Sequence, residues 1–142
     1  MKQLSLIEKA FFLKKIRIFN DLDLDLLLAI ADKMSQDLYD KDEKVFNINQ
    51  VANRMYLIAQ GTVKIMDADG VVFAELPAPD FFGDEALFNE KPRAYSVICK
   101  SDCLILTLSR SHLMTIISEC PSVATSLLQC YSHPLMCRLG IP

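Results

Sequence analysis

Apolar and polar residues alternate with helical spacing at both ends of the chain and with strand-like spacing between them. From Leu4 to about Leu13 the positions Leu4, Ile7 and Phe11 recur every three to four residues and predict a packing helix. After Asn20-Asp21, Asp23 is placed to cap a second helix whose buried stripe is Leu27, Ile30, Ala31 and Met34. From Leu38 onward the texture changes to short β-type runs at 44–48, 54–59, 62–66, 71–76, 93–99 and 104–108, separated by polar turns. Asp69-Gly70 between two of these runs has the composition of a two-residue hairpin turn, and Gly61 marks another bend. Past Leu108, Ser109 is expected to cap a helix to about Ser118, and Pro121 to open another reaching Tyr131, with His133-Pro134 ending it.

Many short strands framed by helices predict a mainly β protein, a jelly-roll (double-stranded β-helix) barrel with flanking N- and C-terminal α-helices. The expected division of the single domain is a helical lead-in over 1–36, the jelly roll over 37–109, and C-terminal helices over 110–142. At 142 residues the chain is long enough for one core, and 51% apolar with 23% charged residues is ordinary for a folded soluble domain.

The net charge of −3 argues against a general nucleic-acid binder. The longest apolar run, Leu26 to Ala31, is too short to span a bilayer, and charges at Glu8, Lys9, Lys14 and Lys15 interrupt any signal-like core. No membrane association and a cytoplasmic location are therefore expected. Five cysteines without a Cys-x-x-Cys pair indicate neither a disulfide framework nor a zinc knuckle, and His112 and His133 fit no ligand pattern. No metal and no cofactor are expected. No acid, base and nucleophile constellation points to an enzyme.

The chemistry is concentrated in the stretch 81–97, Phe-Phe-Gly-Asp-Glu-Ala-Leu-Phe-Asn-Glu-Lys-Pro-Arg-Ala-Tyr-Ser-Val. Gly83 can adopt backbone angles closed to other residues, and a helix starting just after it leaves unpartnered N–H groups suited to a phosphate. Pro92 breaks the helix and presents Arg93, whose planar fork matches phosphate oxygens. Asp80, Asp84, Glu85 and Glu90 outnumber Lys91 and Arg93 here, so directed donors rather than bulk charge must hold an anion.

Phe82-Gly83-Asp84-Glu85-Ala86-Leu87, four residues, then Pro92-Arg93-Ala94-Tyr95-Ser96-Val97 resembles the phosphate-binding cassette of cyclic-nucleotide-binding domains. The family pattern is Phe-Gly-Glu-x-Ala-Leu, a four-residue gap, then Pro-Arg-x-Ala-Ser/Thr-Val. Residues match at Phe82, Gly83, Ala86, Leu87, Pro92, Arg93, Ser96 and Val97. Tyr39, Glu43, Val45-Phe46, the run 55–58 and the run 61–65 follow the family's early strands. Two family turn glycines are replaced by Asp42 and Asn49, residues that tolerate left-handed angles.

The resemblance implies a non-enzymatic regulatory domain that binds a cyclic mononucleotide and relays binding to its terminal helices and an effector protein or domain. The implied ligand-binding residues are Phe82, Gly83, Asp84, Glu85, Ala86, Leu87, Pro92, Arg93, Ala94 and Ser96. Arg93 is implied to bind the exocyclic phosphate oxygens, with backbone N–H groups at Gly83, Asp84 and Ala94 completing the cradle. A structural ion pair with a nearby carboxylate is the competing role for Arg93. Asp84 stands where the family has the glutamate that accepts the ribose 2′-hydroxyl, its carboxylate withdrawn by about 1.5 Å. Loss of that bond would cost about 1.5–3 kcal/mol; a plain surface carboxylate is the alternative. Ala94, where guanine-selective relatives often have threonine, tilts the implied ligand to cyclic AMP, with cyclic GMP as the second choice. Tyr131, with Leu127 and Leu128, is implied either to lid the base or simply to pack a helix. The rival reading is a degenerate domain of the same fold that binds no nucleotide and acts through protein contacts, for instance as a homodimer. With 21 residues beyond Pro121, a complete transcription factor with a helix-turn-helix is not expected.

Overall fold

The computed structural model describes residues 2–131. Two helices open the chain, α1 (Leu6–Leu13) and α2 (Leu24–Asp32). Ser5 caps α1 in a reciprocal box with Glu8, and the Asp23 side chain caps α2 through the Leu26 N–H at 3.0 Å. The stripe of α2 is buried as expected. That of α1 is not: Phe11 is 55% exposed and Ile7 is also exposed, while Ala10, Phe12 and Leu13 point inward. The helix is apolar on more than one side, so spacing alone does not choose the buried face.

Eight strands follow: β1 (Ser35–Tyr39), β2 (Lys44–Phe46), β3 (Arg54–Gln60), β4 (Thr62–Met66), β5 (Val72–Pro77), β6 (Asp80–Phe82), β7 (Ser96–Cys99) and β8 (Cys103–Ser109). A short helix, α3 (Glu85–Asn89), interrupts them, and α4 (Arg110–Glu119) and α5 (Pro121–Tyr131) close the described chain. The strands form two four-stranded antiparallel sheets, β1-β8-β3-β6 and β2-β7-β4-β5, the jelly roll expected from the sequence. Strands β1 and β6 lie outside the runs picked out by patterning. The first is nearly all exposed or half-exposed and the second has three residues, so neither carries a legible alternation. The last predicted strand before β8 starts at Ser96 rather than Arg93. The expected helix stop at His133-Pro134 lies outside the described residues.

Two apolar clusters lie on opposite faces of the first sheet. Met55, Leu57, Leu104, Leu106 and Leu108 pack with α1, α2, α4 and α5, whereas Tyr56, Ile58 and Ile105 face the second sheet and its Val63, Ile65 and Val97. The alternation along β3 thus joins both clusters through one strand. Asp42 and Asn49 take left-handed angles, φ 74° and 72°, so the turns expected to lack glycine keep a glycine-like backbone. At Gly61, φ 94°, a Cβ would lie 2.4 Å from the Asp102 carbonyl, and only glycine fits.

Candidate ligand site at the cassette

β6 delivers the chain to Gly83, which turns it with φ 79°, and α3 begins two residues later. The register Tyr56↔Phe82 between β3 and β6 places this turn beside the start of β3. Arg93 returns to the same point from the other side. Its backbone is fixed by N–H donation to the Gln50 carbonyl and by acceptance from Asn49 N–H, both at 2.8 Å. The turn at Asn49 therefore positions the arginine.

Arg93 is 3% exposed. Its Nη1 donates to the Gly83 carbonyl and its Nη2 to the Arg54 carbonyl, each at 2.5 Å, and its guanidinium carbon sits 4.3 Å from the centroid of Phe46. Its hydrogen-bond partners among the described residues are main-chain carbonyls, not the carboxylate that an ion pair would require. Burial lowers its pKa, though the group stays a cation at neutral pH. A Cβ on Gly83 would lie 2.8 Å from Arg93 Nη1, so a side chain at Gly83 and the present seat of Arg93 exclude each other.

The Gly83 N–H, the first donor of the expected cradle, is taken. It donates to the Tyr95 hydroxyl at 3.0 Å, and Tyr95 is 3% exposed. Phe46, Tyr56, Phe82 and Tyr95 pack around this point, with Tyr56 stacked on Phe82 at 5.2 Å. Burial, then the charge of Glu85, raises the Tyr95 pKa, which keeps the phenol protonated. Tyr95 was not among the expected site residues. The signal was present, because Tyr95 stands where the family pattern has alanine.

Asp84 is completely buried, which rules out the reading as a surface carboxylate. It accepts a hydrogen bond from the Tyr131 hydroxyl of α5. Glu85 is half-buried, and its Oε2 has no hydrogen-bond partner among the described residues. Desolvation, followed by repulsion from Asp84, pushes its pKa up to about 7. Ser96 Oγ accepts from Ile48 N–H at 2.8 Å and so braces the loop that holds Arg93.

The other expected residues are scattered by burial. Phe82, Ala86 and Leu87 are buried, Leu87 in the helical cluster, while Pro92 and Ala94 are exposed. Arg110 Nε donates to the Leu87 carbonyl at 2.9 Å and Nη2 pairs with Glu90 at 3.3 Å, so α4 holds the C-terminal end of α3. A cavity of about 260 Å³ beside α3 is lined by Ala86, Leu87, Glu90, Lys91, Pro92 and Arg110, together with Val51 and Ala52; its lining does not include Gly83 or Arg93.

A two-sheet jelly roll, a glycine turn before a short helix and an arginine returning to that glycine define the class. The chain belongs to the cyclic nucleotide-binding domain family, whose model matches residues 36–120. It is 24% identical over 115 residues to the cAMP-dependent protein kinase regulatory subunit of Debaryomyces hansenii, covering 81% of this chain and 25% of that protein. It is 31% identical over 114 residues to the cGMP-dependent protein kinase egl-4 of Caenorhabditis briggsae, covering 76% and 15%. Among solved structures, the regulatory subunit of a cAMP-independent protein kinase A from Trypanosoma brucei superposes with a TM-score of 0.78 at 22% identity, over 92% of this chain and 48% of that one. The chain thus spans a quarter or less of these two curated relatives, and what it shares with them is a regulatory domain. Among the described residues, no helix is long and apolar enough to cross a membrane.

Proposed function

We propose that this domain is a non-enzymatic sensor of a cyclic mononucleotide, cyclic AMP before cyclic GMP, whose phosphate cradle is closed in this conformation by the Tyr95 side chain and two main-chain carbonyls. The observation that carries the reading is the occupancy of the cradle: Gly83 N–H and the Arg93 guanidinium are bound by Tyr95 Oη and by two carbonyls. A cyclic phosphate entering here replaces the neutral Tyr95 acceptor on the Gly83 N–H with a charged one, and charge-assisted bonds are about twice as strong as neutral ones. Against that gain stands the displacement of a buried tyrosine ring, about 1.5–3 kcal/mol for a large apolar side chain. The wild type should therefore bind about ten- to a hundredfold more weakly than a variant with the family's alanine at this position. The receiver of the signal is an effector protein or domain, and the setting is the cytoplasm.

Thermal unfolding of the wild type, Tyr95→Ala and Tyr95→Ala/Arg93→Ala with millimolar cyclic AMP or cyclic GMP tests this. Ligand at about a hundred times its dissociation constant adds about 2.7 kcal/mol, a shift of several degrees. The expected result is a larger cyclic AMP shift in Tyr95→Ala than in the wild type, and none in the double variant. Cooperative melting without a shift in any of them sinks the sensor reading. The second reading then holds: an interaction module that binds no nucleotide, favoured by the aromatic packing at the cradle and the engagement of Asp84 by Tyr131.

A further inference from the structure

A polar cavity of about 220 Å³ lies where α2, β1, β3, β8 and α4 meet, apart from the cassette. Lys33 at the C-cap of α2, Ser35 at the start of β1 and Arg54 at the start of β3 line one part of it. Thr107 and Ser109 at the end of β8 and His112 in the first turn of α4 line the rest, with Asn53 beside them. Strand register brings these groups together, since Ser35 pairs with Thr107 and Arg54 with Ser109. Ser109 then caps α4, accepting from His112 N–H at 3.2 Å, and Arg110 N–H ties the helix start to the Asn53 carbonyl at 2.9 Å.

Three properties of the cavity point to an anion. Its lining holds the cations Lys33 and Arg54 and no carboxylate. Neither cation forms an ion pair among the described residues, and Arg54 spends only its Nε, on the neutral Asn53 amide oxygen at 3.2 Å. Thr107, at 7% exposure, lines the cavity with a hydroxyl that has no hydrogen-bond partner among the described residues. Its oxygen is accessible from the cavity and not sealed in the core, so the hydroxyl is free to donate to an occupant. The volume is several times the about 30 Å³ taken up by one water molecule.

We propose that this cavity is a second anion site, taking a tetrahedral oxyanion of the phosphate class, either free or as the end group of a phosphomonoester. Lys33 supplies a point charge, Arg54 a planar fork, and Ser35 and Thr107 supply hydroxyl donors. The site touches the cassette at Arg54, whose carbonyl accepts Arg93 Nη2. An anion drawn to the Arg54 side chain therefore acts on the residue whose main chain anchors Arg93.

The test is an NMR titration of the full chain with inorganic phosphate and, separately, with adenosine 5′-monophosphate, each against chloride at equal ionic strength. Saturable shifts are expected at residues 33–35, 53–54 and 107–112. Lys33→Gln and Arg54→Gln, both at exposed positions that leave the core intact, should each weaken binding about tenfold or more. Thr107→Val, nearly isosteric, should weaken it about threefold or more. Tighter binding of the monophosphate assigns a phosphomonoester, and tighter binding of inorganic phosphate assigns the free ion. Shifts reproduced by chloride, centred on residues 83–93, or unchanged in a Lys33→Gln/Arg54→Gln double variant overturn the proposal. None of these outcomes depends on whether cyclic AMP binds at the cassette.

Discussion

The Tyr95 hydroxyl meets the Gly83 N–H inside the protein, where a lost partner is not replaced by water. Tyr95→Phe keeps the ring and strands this buried donor, so urea unfolding should show a loss of about 1–3 kcal/mol. Glu85 adds a dependence on acidity. Its carboxyl titrates near 4.5 when unfolded and about 7 when folded, so the folded chain holds a proton that the unfolded chain has released. Its contribution to stability is full below about pH 4.5 and is lost as pH rises through about 7. Glu85→Gln should flatten that decline in urea midpoints measured across the same window. At this scale the sequence was informative wherever the cause is local. The left-handed angles at Asp42 and Asn49 follow from residue type, and Arg93 is delivered to Gly83 by a proline step and fixed spacing. The aromatic seat of Arg93 was not legible, because Phe46 lies far upstream and meets it only when β2 and β7 pair.

Among the elements, α3 is too short to hold its position alone and is gripped from two directions. Arg110 of α4 holds its C-terminal carbonyl, and Tyr131 of α5 holds Asp84 just before its first turn. Both helices are thereby hydrogen-bonded to the ends of α3. Removing the Tyr131 hydroxyl with Tyr131→Phe should speed amide hydrogen exchange over 124–131 by about threefold or more, as expected for the loss of a side-chain hydrogen bond, while α1 exchanges as before. The helices were readable because capping residues and spacing act within a few positions. Strands β1 and β6 were not, since their membership is decided by β8 and β3, distant in sequence.

For the molecule as a whole, the two apolar clusters are the two faces of one sheet rather than two independent cores. Met55 and Leu57 enter the helical cluster while Tyr56 and Ile58 enter the inter-sheet cluster, all within β3. Unfolding should therefore be a single transition, with far- and near-ultraviolet circular dichroism midpoints coinciding in urea. The jelly roll as an architecture was legible from the rhythm of short strands, but the way one strand divides the core between helices and sheet emerges only from register. The chain has no tryptophan and four tyrosines. Three of them surround the cassette: Tyr95 on Gly83, Tyr131 on Asp84, and Tyr56 stacked against Phe82. The native ultraviolet spectrum of this protein is thus largely a report from the surroundings of its cassette, and any change in tyrosine packing there can be followed optically without attaching a dye.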